Sequence, residues 1–271
     1  MIFFIASFLL LLSAPDVLAN GKSYQPYCID LTIPVELAAP TYPLLIPDLE
    51  NGYEAISILL QSTKRSAPSN LALILGPPIK FGTTFFTSAS YCTSATHSQK
   101  PAIVQILIHD LGFDKSYWSF GNASYNYVEA TTNAGYATLS YDRLGVGNSE
   151  KSDPYNVIQA LIEFTVLTRI TELLKTGKLG AHPPIPSKIV HVGHSHGSFL
   201  TNALRVSRPD FSDSIVLTAF SYSITCQSWF EIATRLYLAR ENMPEQFEGS
   251  SSGFVARGDK YYNQYAFLTF P

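Results

Sequence analysis

The chain has 271 residues, with 18 Lys and Arg against 21 Asp and Glu and a formal net charge of −3. That balance offers no basic field and excludes nucleic acid as a partner class. Charged residues make up only 14% of the chain, well below the usual quarter, while Tyr (16) and Phe (17) are plentiful. An apolar small-molecule partner suits such a surface, and the length suits one large domain or a domain with an inserted cap.

Met1–Leu12 is an apolar run too short to span a bilayer, which needs about 20 residues. Val17-Leu18-Ala19 follows, with small residues three and one before Asn20. Residues 1–19 therefore read as a secretory signal peptide, although no Lys or Arg precedes the apolar run. The mature chain is expected to be secreted, without a membrane span, and Asn122-Ala123-Ser124 is an N-glycosylation acceptor on that route. In an oxidising compartment Cys28 and Cys92 can close a long loop worth about 4 kcal/mol, leaving Cys226 over. The alternative is three reduced, buried cysteines.

Residues 20–100 hold strand-like stretches at Cys28–Leu37, Ala55–Leu60, Leu71–Leu75 and Thr83–Thr87. Turn signals separate them at Ala39-Pro40, Asn51-Gly52, Ala67-Pro68 and Gly76-Pro77-Pro78. An antiparallel edge layer is expected here. From residue 101 the pattern alternates. Ile103–Ile108 is an apolar run interrupted only by Gln105, and Tyr136–Tyr141 is a second strand. Asp153-Pro154 reads as the start of a helix whose apolar face runs from Val157 to Leu174, closed by Lys175, Gly177 and Gly180. Ile189–Val192 is a third strand, residues 196–207 a helix stopped before Pro209, and Ser214–Phe220 a fourth strand. This alternation means a mostly parallel sheet with helices on both faces. Beyond Phe220 it stops: Gln227–Arg240 reads as an amphipathic helix, Gly249–Gly253 as a turn and Asp259–Phe267 as an aromatic helix, together more like a lid than further sheet.

Gly193-His194-Ser195-His196-Gly197 is a G-x-S-x-G turn between the third strand and its helix. Flanking glycines permit a tight bend that leaves the serine oxygen exposed at the strand tip, facing the positive end of the new helix. Ser195 is the candidate nucleophile. The bland alternative is a glycine-rich turn with an idle serine.

Three segments, Leu107-Ile108-His109-Asp110-Leu111-Gly112, Asp142-Arg143-Leu144-Gly145-Val146-Gly147-Asn148-Ser149 and the elbow, together resemble the α/β-hydrolase superfamily, in particular secreted fungal-type serine hydrolases. The match covers roughly residues 100–220 well. It implies the α/β-hydrolase fold: residues 20–100 form N-terminal antiparallel strands, 101–221 the core and 222–271 the start of a partial helical cap. It also implies an oxyanion hole made by the backbone N–H groups of Leu111 and His196. Asp110 stands where the family has glycine, and a carboxylate there hinders an anion site unless it points away. His109 reads as a structural hydrogen-bonding residue, and Asp142 and Arg143 as braces for neighbouring loops.

Serine needs an imidazole to take its proton and a carboxylate to hold that imidazole. The family places both after the serine, yet no histidine follows His196. The last two strands of the sheet are likewise missing, and the end at Leu268–Pro271 reads as a truncated sequence. His194 and His196 flank the serine and should point apart, His109 lies near the neighbouring strand end, and His97 and His182 sit in loops. A metal reading rests on His191-x-x-His194-x-His196, but the metallo-β-lactamase-like signature needs Asp and His where Ser198 and Phe199 stand. The expectation is a secreted serine hydrolase acting on an apolar ester or amide through an acyl-enzyme on Ser195, with no metal or cofactor. A serine at the elbow argues against the epoxide- and halide-processing branches, which use carboxylate nucleophiles. The alternative is a catalytically incomplete fragment or a non-catalytic binding protein of the same fold.

Overall fold

A computed structural model describes residues 24–62, 75–96, 101–121, 125–180, 183–223 and 236–257. The expected signal peptide, Asn122, His97, His182, Cys226 and the helix over Asp259–Phe267 lie outside them.

Two 15-residue strands, β1 (Tyr27–Thr41) and β2 (Ile79–Thr93), pair antiparallel along their whole length. Cys28 stands directly opposite Cys92 in that register, and the two sulfurs are bonded. Strand β2 then pairs antiparallel with β4 (Ala137–Tyr141), and β4 pairs parallel with β3 (Ile103–Ile108). Strand β5 (Lys188–His194) follows β3, and β6 (Ser214–Thr218) follows β5, both parallel. The order across the sheet is therefore β1-β2-β4-β3-β5-β6.

Alternation along β3 explains how one sheet serves two layers. Val104, Ile106 and Ile108 face α3 (Ala160–Lys175) and α4 (His196–Ser207), in a core with Leu139, Ile162, Leu167, Ile170 and Leu204. Leu107 faces the other way and joins Cys92, Trp118, Val128 and Val192 beneath α2 (Tyr127–Asn133). Every residue of β4 is buried, as a strand covered on both faces must be. Among the described residues, no helix is long and apolar enough to cross a membrane.

The expected strand over Ala55–Leu60 is instead part of a helix, α1 (Gly52–Ser62). The Asn51 side chain accepts from the N–H groups of Tyr53 and Glu54, and Glu54 reaches back to the N–H of Glu50. This capping arrangement overrides the β-branched Ile56 and Ile58. The helix expected from Asp153-Pro154 begins only at Ala160. Asp153 caps a separate turn through the N–H groups of Tyr155 and Asn156, while Gln159 is drawn to the backbone of Tyr42.

Leu71–Leu75 lies outside the described residues except Leu75, which forms an isolated bridge with Leu44. The helix expected over Gln227–Arg240 does not hold where it is described. Leu236–Leu238 is strand β7, antiparallel to β8 (Val255–Arg257), and two one-turn helices, Ala239–Asn242 and Pro244–Phe247, lie between them. This unit is tied to α1 and the loop before α3. Glu241 accepts from the N–H of Gly52, Arg240 donates to the carbonyl of Glu50, and the Tyr155 and Ser252 hydroxyls share a hydrogen bond.

Candidate active site

Strand β5 ends at His194 and α4 begins at His196, so Ser195 alone makes the bend. Its backbone is left-handed, with φ 50° and ψ −110°, a conformation that costs a non-glycine residue of order 1–3 kcal/mol. The surroundings hold it there: the Ser195 N–H donates to the Thr218 carbonyl at 2.9 Å, and its own carbonyl accepts from Ser198. Both flanking glycines are required by close approach. A Cβ at Gly193 would stand 2.4 Å from the Gly197 carbonyl oxygen, and one at Gly197 would stand 2.1 Å from that of Ile108. The Ser195 side chain is half-buried, and no described residue hydrogen-bonds its hydroxyl.

The two flanking imidazoles do point apart. His194 stacks on Tyr117 with 4.9 Å between ring centroids, and its Nδ1 lies 2.8 Å from the Thr218 hydroxyl. Burial lowers its pKa, against an opposing pull from Asp110. His196 turns to the opposite face, where Nε2 lies 2.8 Å from a Glu163 carboxylate oxygen. His191, third in the metal-like spacing, is buried between the hydroxyls of Thr171 and Ser212. The three rings therefore serve three different places. Among the described residues, no group of three or more His, Cys, Asp or Glu is arranged to hold a metal ion.

A buried polar network underlies the bend. Arg143 donates to Glu163, which also bonds His196, and a second Arg143 nitrogen donates to the Asp110 carbonyl at 3.1 Å. Burial alone would raise the Glu163 pKa, but the Arg143 guanidinium and the bond to His196 outweigh it and hold the carboxyl below its ordinary range. Full burial pushes His109 down to about 4, helped by Arg143. The neutral ring donates from Nδ1 to the Asp110 carbonyl and accepts at Nε2 from the Arg143 N–H. His109 is thus a spacer between two strand ends.

Asp142 gathers the next loop. Its carboxylate accepts from the backbone and ammonium of Lys115, both at 2.8 Å, and from the Asn148 N–H at 2.9 Å. A side chain at Gly147, where φ is 53°, would collide with that carboxylate at 2.4 Å. Asp142 and Arg143 are therefore braces.

The expected oxyanion donors belong to the loop after β3 and to the first residue of α4. Leu111, 44% exposed, sits at the tip of the loop after β3. The His196 N–H is already engaged, donating to the Asp110 carboxylate at 3.1 Å. The departure at Asp110 thus points toward the site. Beside it, Tyr117, Trp118, Tyr127, His194 and Val216 help to line an open apolar cavity of about 430 Å³.

Glu163 was not legible as a site residue, because the family order places the acid after the serine and Glu163 precedes it. Its one signal is position: Ile162, Glu163, Val166, Leu167, Ile170, Thr171 and Leu174 form one buried helix face that includes a carboxylate.

Residues 105–267 match the model of the alpha/beta hydrolase family. The chain belongs to that family. The chain is also similar to solved structures at low identity. An epoxide hydrolase from Vigna radiata is 13% identical, with TM-score 0.40, covering 51% of this chain and 36% of that one. Epoxide Hydrolase A from Mycobacterium thermoresistibile is 13% identical, with TM-score 0.39, covering 55% and 42%. A hydrolase from Agrobacterium vitis S4 is 15% identical, with TM-score 0.38, covering 49% and 46%. The chain thus spans less than half the length of each. Among curated proteins, none matches it.

Proposed function

We propose that the protein is a secreted serine hydrolase that cleaves an ester or amide bond in an apolar small molecule. Ser195 attacks the carbonyl and carries the acyl group, and the N–H groups of Leu111 and His196 receive the developing oxyanion. The observation that carries this reading is the strained backbone of Ser195 at the strand–helix bend, with a hydroxyl that no described residue engages. Strain persists where surrounding structure enforces it, and here two glycines and the Thr218 carbonyl do so. A hydroxyl at this position suits acyl transfer. The disulfide between Cys28 and Cys92 supports passage through an oxidising compartment, where Asn122 would be a glycan acceptor. The aromatic cavity supports an apolar substrate.

A second reading, a non-catalytic or catalytically incomplete protein, is favoured by one observation. Both imidazoles beside the serine are engaged elsewhere, His194 with the Thr218 hydroxyl and His196 with the Glu163 carboxylate. A fluorophosphonate probe separates the two. Covalent labelling of the folded protein that disappears in Ser195→Ala supports the hydrolase, whereas a folded protein that takes no label supports the binding reading.

A further inference from the structure

We propose that Asp110 is a resident anion on the oxyanion-binding N–H of His196, so that attack by Ser195 requires this carboxylate to withdraw. The inference rests on Ser195 being the nucleophile.

Helix α4 has 12 residues and starts immediately after Ser195. The first N–H groups of a helix have no partner within it and carry the positive end of its dipole, so they attract whichever anion is near. The His196 N–H adjoins the reacting hydroxyl, and the anion it has found belongs to the chain itself. Asp110 is 4% exposed and accepts that N–H at 3.1 Å.

Its attachment is uneven. The Asp110 carbonyl is pinned by His109 Nδ1 at 2.8 Å and by Arg143 at 3.1 Å. Its carboxylate has one hydrogen bond among the described residues, the one to His196. A rotation of the side chain would therefore free the N–H while the loop backbone stays in place.

A tetrahedral intermediate on Ser195 puts negative charge where this carboxylate sits. The two cannot share one donor, and like charges repel in a half-buried site. With Asp110 in place the site resembles one already filled by an acidic product. Removing one oxyanion donor from a working site costs about 10²–10³ in rate, so clearing this one should restore a sizeable part of that factor.

The test compares wild type with Asp110→Asn, Asp110→Gly and Ser195→Ala, using a fluorophosphonate. Ser195 Oγ displaces fluoride from phosphorus, and the hydroxyl proton passes to buffer. Asparagine keeps an oxygen near the N–H but removes the charge, so its rate should lie between those of wild type and Asp110→Gly. The expected order is Asp110→Gly fastest, at least about 10-fold above wild type, with no label on Ser195→Ala. The backbone amide resonance of His196 should move upfield in Asp110→Gly, which marks loss of the carboxylate bond independently of any reaction. Equal rates in all Ser195-containing forms would overturn the role of Asp110 and leave Ser195 as nucleophile. An unlabelled Asp110→Gly whose His196 resonance has moved would instead overturn the nucleophile, and the present inference with it. Should the glycine variant fail to fold, Asp110→Asn against wild type decides by the same criteria.

Discussion

Gly197 lies so close to Ile108 that a single added methyl group would stand 2.1 Å from the Ile108 carbonyl oxygen. The contact joins α4 to the end of β3, and backbone on both sides leaves nothing flexible to move away. Gly197→Ala should lower stability by about 3 kcal/mol or more, measured by urea unfolding. Gly193→Ala, facing backbone atoms of Gly197 and Ser198, should behave alike. A loss under about 1 kcal/mol in both would contradict this approach of helix and strand.

Arg143 and Glu163 are 3% and 6% exposed in their side chains. Arg143→Met leaves a carboxylate buried without its main counter-charge and should cost about 3–5 kcal/mol. Arg143→Met combined with Glu163→Leu should recover most of that loss, because the uncompensated charge goes with its partner. Unfolding of both variants checks the pair. A double variant no better than the single one would contradict the assignment.

Acid should weaken the fold through two imidazoles. The ordinary histidine value is 6.5, but burial holds His109 at about 4 and His191 at about 3. Between those values and pH 6.5 the unfolded chain binds more protons than the folded one. Stability is therefore full above about pH 6.5 and falls as the pH drops toward 3, His109 alone contributing on the order of 3 kcal/mol. Glu163, held low by Arg143 and His196 against the effect of burial, adds a loss of the same sign at lower pH. Chemical unfolding at pH 7 and pH 4.5 measures the slope, which His191→Gln should reduce while lowering stability overall.

The bond between Cys28 and Cys92 closes a loop with a sequence separation of 64 residues. Replacing both with serine should cost about 4 kcal/mol by the chain-entropy model. The same loss should follow reduction of the native protein, read as a matching fall in unfolding midpoint.

Much of the core was legible because periodicity and connection agree. Ile103–Ile108 carries no polar residue except Gln105, and a strand covered on both faces needs such a run. The elbow was legible for a different reason: a strand, glycines two residues either side of Ser195, and then a helix leave the backbone few alternatives. Helix α1 was missed because Asn51-Gly52 serves equally as a turn signal and as a helix start, and only Glu54 reaching back to Glu50 decides between them. The start of α3 was missed because the cap at Asp153 is real but closes a turn before the helix. The contact between Asp110 and His196 was beyond reach, since it joins residues 86 apart through a side-chain rotation that sequence does not encode.

The left-handed backbone at Ser195 implies that this fold would melt at a higher temperature without its hydroxyl-bearing side chain. Glycine alone has no Cβ to resist the bend, so Ser195→Gly relieves a local conflict that Ser195→Ala retains. The residue proposed as the nucleophile is thus one that the rest of the molecule has to restrain.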